Sequence, residues 1–370
     1  MRIAVVGASG FVGTRLLEQF ILGQIAEVVP VVRSFASLAV ISRFDLPWKV
    51  CDVMNTDDLA KAFSDCDAVV HLALGDAKQI VKMADSVYAA AEKAGVRRLV
   101  ALSSAAVHGL NPTPGTDESS PISDSQTMEY NNAKVRAEQV FLRARQRGNV
   151  ELVILRPSIV YGPRCKLFTR VVENLIAGTA FLINDGEGIC NAIYVDNLIR
   201  AIRLALERSD VDGETFLIGD AETITWRSIY NRFTEALGIQ MNSVHHVTPP
   251  LFRKSLKERV DSVVATSFAQ SLLRVVPGHA KRLTKVVLSA MEEEAKPDAW
   301  ALVSPLRAII DEELATLQQC KWKYPNEKAI KRLGYEPHVS FPEGVRRMLS
   351  WLEFAGYPVR LDSISLSYAV

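Results

Sequence analysis

At 370 residues and 48% hydrophobic composition, the chain is long enough to bury a large core, as one big domain or as two domains sharing a cleft. A formal net charge of +1 and a pI near 7.7 remove any overall reason to expect a nucleic-acid partner. Cys51, Cys66, Cys165, Cys190 and Cys320 are scattered without metal-type pairing, and no apolar run reaches membrane-spanning length; the expectation is a cytoplasmic chain with free thiols, no metal and no transmembrane segment.

The amino terminus runs directly into a strand pattern, "RIAVVG" from Arg2. Further strand candidates are "EVVPVV" from Glu27, "WKVCDV" from Trp48, "AVVHLA" from Ala68, "RLVALSS" from Arg98 and "ELVILRP" from Glu151. Helical patterns separate them at Phe11–Phe20, Asp57–Phe63, Ile80–Ala94 and Met128–Arg147. Continuous apolar strands alternating with helices predict an α/β fold, a doubly wound parallel sheet covered on both faces, with ligands at the carboxyl ends of its strands.

After about Arg164 the rhythm changes. A helix is expected over Leu167–Ala177 and a short strand in "AFLIND". "NAIYVDNLIRAIRLAL" reads as a loop entering a helix, and "GETFLIGD" as a strand that rejoins the sheet. From Trp226 the pattern is mostly helical and irregular. Residues Leu251–Leu288 are strongly basic, which fits an anionic substrate, a membrane surface, a partner subunit or simply a solvated helix face.

"GASGFVG" follows the first strand and opens a helix at Phe11 and Val12. Gly7 permits the sharp turn, Gly10 lets the backbone approach a diphosphate, and Gly13 allows close packing of helix on strand. The diphosphate would sit at the positive helix end. After the second strand, Arg33 favours the extra phosphate of NADP, with Ser34 as an added donor, while NAD stays open. "CDV" offers Asp52 and Val53 at the adenine end, Asp52 either as an acceptor or as a turn cap. "HLAL" brings Leu72, Ala73 and Leu74 along the cofactor. His71 reads as a satisfied structural histidine.

The fifth strand leaves Ser103 and Ser104 where a parallel sheet presents its ligands. "MEYNNAK" places Tyr130 one helical turn before Lys134, and the sixth strand exits beside the same crevice through "LRPSIVYGP". A free phenol has a pKa near 10, so about one in a thousand is ionised at neutral pH. A cation beside it and an oxidised nicotinamide would lower that by about three units, an effect of roughly 4 kcal/mol. Tyr130 would then exchange a proton with a substrate hydroxyl, Ser104 would hydrogen-bond the same oxygen, and Lys134 would also bind the nicotinamide ribose.

Together "GASGFVG", "CDV", "HLAL", "SSAAVHG", "YNNAK", "LRPSIVYGP", "IYVDN" and the late "EKAIKRLGYEPHVSFPEGVRRMLSWL" resemble the extended short-chain dehydrogenase/reductase family, which includes NAD(P)-dependent epimerases and dehydratases and 3β-hydroxysteroid dehydrogenase-like enzymes. The resemblance implies a seven-stranded Rossmann domain over 1–165, rejoined by about 192–222, with a smaller substrate domain from 166–191 and 223–360. It implies Ser104, Tyr130 and Lys134 as the catalytic triad, Pro157 and Ile159 along the nicotinamide, and pairing into a homodimer through the Tyr130 helix.

Two departures narrow the chemistry. Where family dehydratases carry a Thr-Asp-Glu group, this chain has "SAAVHG", which argues against dehydration. Where many nucleotide-sugar enzymes have an arginine, it has Cys190, which weakens a sugar-nucleotide assignment. The helix after the fourth strand also lacks the family's usual Asn/Gly-Thr pattern. The expected function is an NADP-preferring oxidoreductase interconverting a secondary alcohol and a ketone on a small molecule, sugar-derived, steroid-like or other. An epimerase using the same triad is the first alternative, and a non-catalytic dinucleotide-sensing protein is the alternative of another class.

Overall fold

The computed structural model describes residues 1–249 and 307–360, so the basic Leu251–Leu288 stretch lies outside the described residues. Seven parallel strands form the central sheet: β1 (Arg2–Val6), β2 (Glu27–Val32), β3 (Lys49–Val50), β4 (Ala68–His71), β5 (Arg98–Leu102), β6 (Glu151–Pro157) and β10 (Thr215–Ile218). Their order is β10-β6-β5-β4-β1-β2-β3. The sheet grows one way from β1 and the other way from β4, so a crevice opens between those two at their carboxyl ends.

Burial on both faces explains why these strands are apolar without interruption. Along β1, Ile3 and Val5 join one core cluster while Ala4 and Val6 join the other, the period-2 alternation of a strand. On the first face lie α1 (Phe11–Leu22) and α7 (Val195–Glu207); on the second, α3 (Thr56–Ala62), α4 (Ala77–Lys93) and α5 (Glu129–Arg147). A capping box starts α4: the Asp76 carboxylate accepts from Gln79 N, and the Gln79 side chain accepts from Asp76 N.

The chain after β6 builds a second layer over the carboxyl ends. It comprises β7 (Ile159–Tyr161), α6 (Lys166–Ile176), β8 (Phe181–Ile183), β9 (Ala192–Tyr194), α8 (Trp226–Leu237) and β11 (His245–Val247). Beyond residue 306 come α9 (Glu312–Leu317), α10 (Glu327–Leu333) and α11 (Phe341–Phe354), while α2 (Phe35–Leu38) follows β2.

Two expectations need correction here. "NAIY" is a strand: β9 pairs in parallel with β7, matching Ile159 to Ala192 and Tyr161 to Tyr194. The third strand is only Lys49–Val50, because Asp52 accepts a bond from Met54 N at 3.0 Å and turns the chain toward α3. "GETFLIGD" does rejoin the sheet as β10 beside β6. "AFLIND" contains β8, which pairs with β11 outside that sheet.

"IYVDN" is a structural junction. The Asp196 carboxylate accepts from Arg15 of α1 at 2.6 and 2.7 Å and from Arg347 of α11 at 3.1 Å. Asn197 donates to Asp220 at 2.7 Å and to Val339 O at 2.8 Å, and its Oδ1 accepts from the backbone N of His338 and Val339. The late carboxyl-terminal segment is thereby fastened to the exit of β10.

Candidate active site

The carboxyl ends of the strands open into a cleft of about 1370 Å³ running from Gly7 to Tyr324. At one end, Gly7 sits at φ +85° and a Cβ there would lie 2.7 Å from Ala73 N. A Cβ on Gly13 would lie 2.3 Å from Gly7 O, so α1 packs too closely for any side chain. The first turn of α1 has no side-chain cap and no acidic residue, which leaves its backbone N–H groups for an anion. Phe11, Val12, Gly10, Arg33, Asp52, Val53, Leu72, Ala73 and Leu74 line the same wall. This donor set, with a cleft continuous to Pro157 and Ile159, fits a dinucleotide.

Ser34 is the exception among the expected residues. It lies outside the lining, because its hydroxyl turns to Ser37 Oγ at 3.1 Å at the start of α2; Ser37 faces the cleft instead. Asp52 makes the turn bond to Met54 that the sequence allowed and also lines the cleft.

At the other end Ser104, Tyr130 and Lys134 converge. The segment before α5 is pinned by the two asparagines that follow the tyrosine. Asn132 accepts from Gln126 N at 2.8 Å and donates to Gln126 O at 3.0 Å, while Asn131 donates to Gln126 Oε1 at 2.9 Å. Tyr130, Lys134 and Glu138 then stack one turn apart on one helix face. Lys134 is buried and donates to Leu102 O at 2.9 Å, with its Nζ 5.9 Å from the centre of the Tyr130 ring. Glu138 forms a buried pair with Arg156 of β6, through bonds of 2.6 and 2.9 Å.

Electrostatics in the protein alone differ from the sequence expectation. Tyr130 is 39% exposed toward the cleft, yet partial removal of its hydroxyl from bulk water pushes the phenol up to about 12, against a smaller lowering by the Ser104 hydroxyl. Burial pulls the Lys134 ammonium down to about 8, and the Glu138 carboxylate opposes that. The lysine is tied to a carbonyl and does not touch the phenol, so lysine alone does not acidify it.

His71 is structural but not satisfied. It is buried edge-on to Phe141, its Nδ1 has no partner, and burial lowers its pKa to about 3, helped by the Lys134 charge. Ser103 Oγ is likewise buried without a partner. His108, in the one-turn 3₁₀ segment Ala105–His108, is within 3.1 Å of Arg156 Nη1 through Nε2. Because a guanidinium only donates, that nitrogen accepts and the ring is neutral; burial, then Arg156, lower its pKa to about 4.

Cys190 is buried and absent from the cleft wall, which is formed there by its neighbours Ile189 and Asn191. The sequence missed Arg164, Arg170, Glu313 and Tyr324, which all reach the cleft. Arg164 donates to Thr14 Oγ1 at 3.1 Å, next to the first turn of α1. The position of Arg164 directly after "IVYGP" was the available signal; Glu313 offered none. Among the described residues no cluster of His, Cys, Asp or Glu could hold a metal ion, and no helix is long and apolar enough to cross a membrane.

The model of the NAD dependent epimerase/dehydratase family matches residues 3–219. An Arabidopsis thaliana 3beta-hydroxysteroid-dehydrogenase/decarboxylase isoform 1 is 24% identical, over 93% of this chain and 78% of its own. The sterol-4-alpha-carboxylate 3-dehydrogenase, decarboxylating, of Candida albicans is 23% identical, over 95% and 97%. Among solved structures, the dTDP-glucose 4,6-dehydratase of Streptomyces venezuelae with bound NAD superposes with a TM-score of 0.67 at 23% identity, over 96% of this chain and 97% of that one. The seven-stranded sheet, the glycine turn and the family match lead to one conclusion: the chain belongs to the NAD dependent epimerase/dehydratase family and is an extended short-chain dehydrogenase/reductase enzyme that uses a nicotinamide dinucleotide.

Proposed function

We propose that this enzyme interconverts a secondary alcohol and a ketone, with Tyr130 as the proton-transfer group, Ser104 as the partner of the reacting oxygen and Lys134 as the cation that steadies both phenol and cofactor ribose. The observation that carries this reading is the convergence of these three side chains in one cleft with the glycine turn. The dinucleotide, when bound, gives or takes the hydride. For alcohol oxidation, Tyr130 must be a phenolate to accept the hydroxyl proton, and a phenol raised to about 12 is scarcely ionised at neutral pH. An oxidised nicotinamide held beside it would add a positive charge that favours the Tyr130 phenolate. In the reverse direction the neutral phenol donates its proton to the developing alkoxide while Ser104 donates a hydrogen bond.

The dinucleotide is held by the first turn of α1, with Arg164 beside it, by Asp52 and Val53 at the adenine end, and by Pro157 and Ile159 at the nicotinamide. Arg33 at the end of β2 supports NADP over NAD. We assign the substrate side to 166–191 and 223–360, whose described part includes α6, β8, α8 and α9. The names of the plant and yeast relatives pair oxidation with decarboxylation, and one places a carboxylate on the carbon next to the oxidised one. We extend that to this chain as a hydroxyl-bearing carbon beside a carboxylate-bearing one.

The family's name favours a second reading, epimerisation by the same triad. Nicotinamide absorbance separates the two. An oxidoreductase changes it in proportion to product, whereas an epimerase returns the hydride and leaves no net change. Product formation without that change would overturn the first reading.

A further inference from the structure

At the substrate end of the cleft one guanidinium stands beside a carboxylate, and neither is well satisfied. Arg170 of α6 reaches Asp311 at 3.5 Å and Glu313 at 3.8 Å, whereas close charge-assisted bonds of this kind measure about 2.7–2.9 Å. Its Nε is buried and has no acceptor. Asp311 is already committed, since its Oδ1 accepts from Leu314 N at 2.8 Å and caps α9. Glu313 has no other polar partner among the described residues, its side chain is 51% exposed, and its charge is felt at the Tyr130 phenol. A carboxylate therefore already lines the cleft that holds Tyr130, loosely held by a guanidinium.

We propose that Arg170 is the anchor for a substrate carboxylate, and that Glu313 occupies the anion's place until the substrate displaces it. This rests on the alcohol/ketone reading of the site and adds the residue that selects the substrate. A carboxylate on the carbon next to the reacting one takes the terminal guanidinium donors that now face Glu313, at the short distance Glu313 does not reach. Arg170 stays paired throughout the exchange, and Glu313 is exposed enough to turn to water, so the displacement leaves no buried charge alone.

The test uses two matched pairs of probes with the NADP-loaded full chain: a 3-hydroxysterol bearing a 4-carboxyl group and its methyl ester, and a long-chain 3-hydroxy acid and its methyl ester. The acid of at least one pair is expected to be oxidised with kcat/KM roughly tenfold to a hundredfold above its ester, the range a charge-assisted contact supplies. Arg170→Gln should erase that preference mainly through KM, Arg170→Lys should keep part of it, and Glu313→Gln should lower KM for the acid alone. Equal turnover of acid and ester, or an intact preference in a folded Arg170→Gln variant, overturns the anchor and leaves the oxidoreductase reading standing. Turnover of neutral secondary alcohols only does the same. If no alcohol of any kind is oxidised, both fall together.

Discussion

The two ends of the cleft are built from different materials. Around Gly7 the wall is largely backbone and strand ends, drawn from short stretches at 7–13, 33, 52–53 and 72–74. Around Tyr130 it is side chains, brought from α5, from the segment after β6 and from a helix near residue 313. An anion-binding end made of N–H groups needs the strand-turn-helix geometry and little else. The reacting end needs individual charges at set distances, and a single atom there changes the chemistry.

That contrast can be broken experimentally. Its largest consequence is at the phenol: Tyr130→Phe should cut turnover by about 10²- to 10⁴-fold while dinucleotide affinity, measured by fluorescence titration, changes less than about twofold. A matching loss of affinity would mean the two ends are not separate. Next comes the support under the lysine. Glu138→Ala leaves Arg156 buried and unpaired and should cost about 3–5 kcal/mol in urea unfolding. A change under about 1 kcal/mol would show that Arg156 finds water instead.

At the opposite end, Arg33→Ala should weaken NADP by roughly tenfold or more and NAD by less than about twofold. Equal effects would remove the phosphate contact. The smallest effect concerns His71, whose pKa falls from 6.5 in the unfolded chain to about 3 in the folded one. Between those values the unfolded chain binds more protons. Stability is therefore lost as pH falls below 6.5, by up to about 1.4 kcal/mol per pH unit for this group. His108 adds to the same slope down to about 4. His71→Leu should flatten the change of urea midpoint between pH 6.5 and 5, and an unchanged slope would place the titration elsewhere.

The same contrast governs what could be read from the chain. β1, β2, β4, β5 and β6 are legible because a strand buried on both faces must be apolar throughout, and the Gly7 turn is legible because its spacing is local. Ser104, Tyr130 and Lys134 lie at strand ends or helical spacing, so they too could be placed. Ser34 could not, because its hydroxyl's choice of Ser37 is a side-chain matter. "NAIY" hid a strand because its one partner among the described residues, β7, is itself three residues long. Arg170 and Glu313 meet across a separation of 143 positions, and the upward push on the Tyr130 phenol arises from desolvation that no spacing reveals.

One carboxylate, Asp196, is gripped at once by Arg15 of α1, whose first turn opens on the cleft, and by Arg347 near the far end of the described chain. Loosening α11 therefore slackens the first helix by the same tether. Arg347→Ala, which leaves the buried face of α11 in place, should be registered as weaker cofactor capture more than 300 positions upstream, even though no residue of α11 lines the cleft.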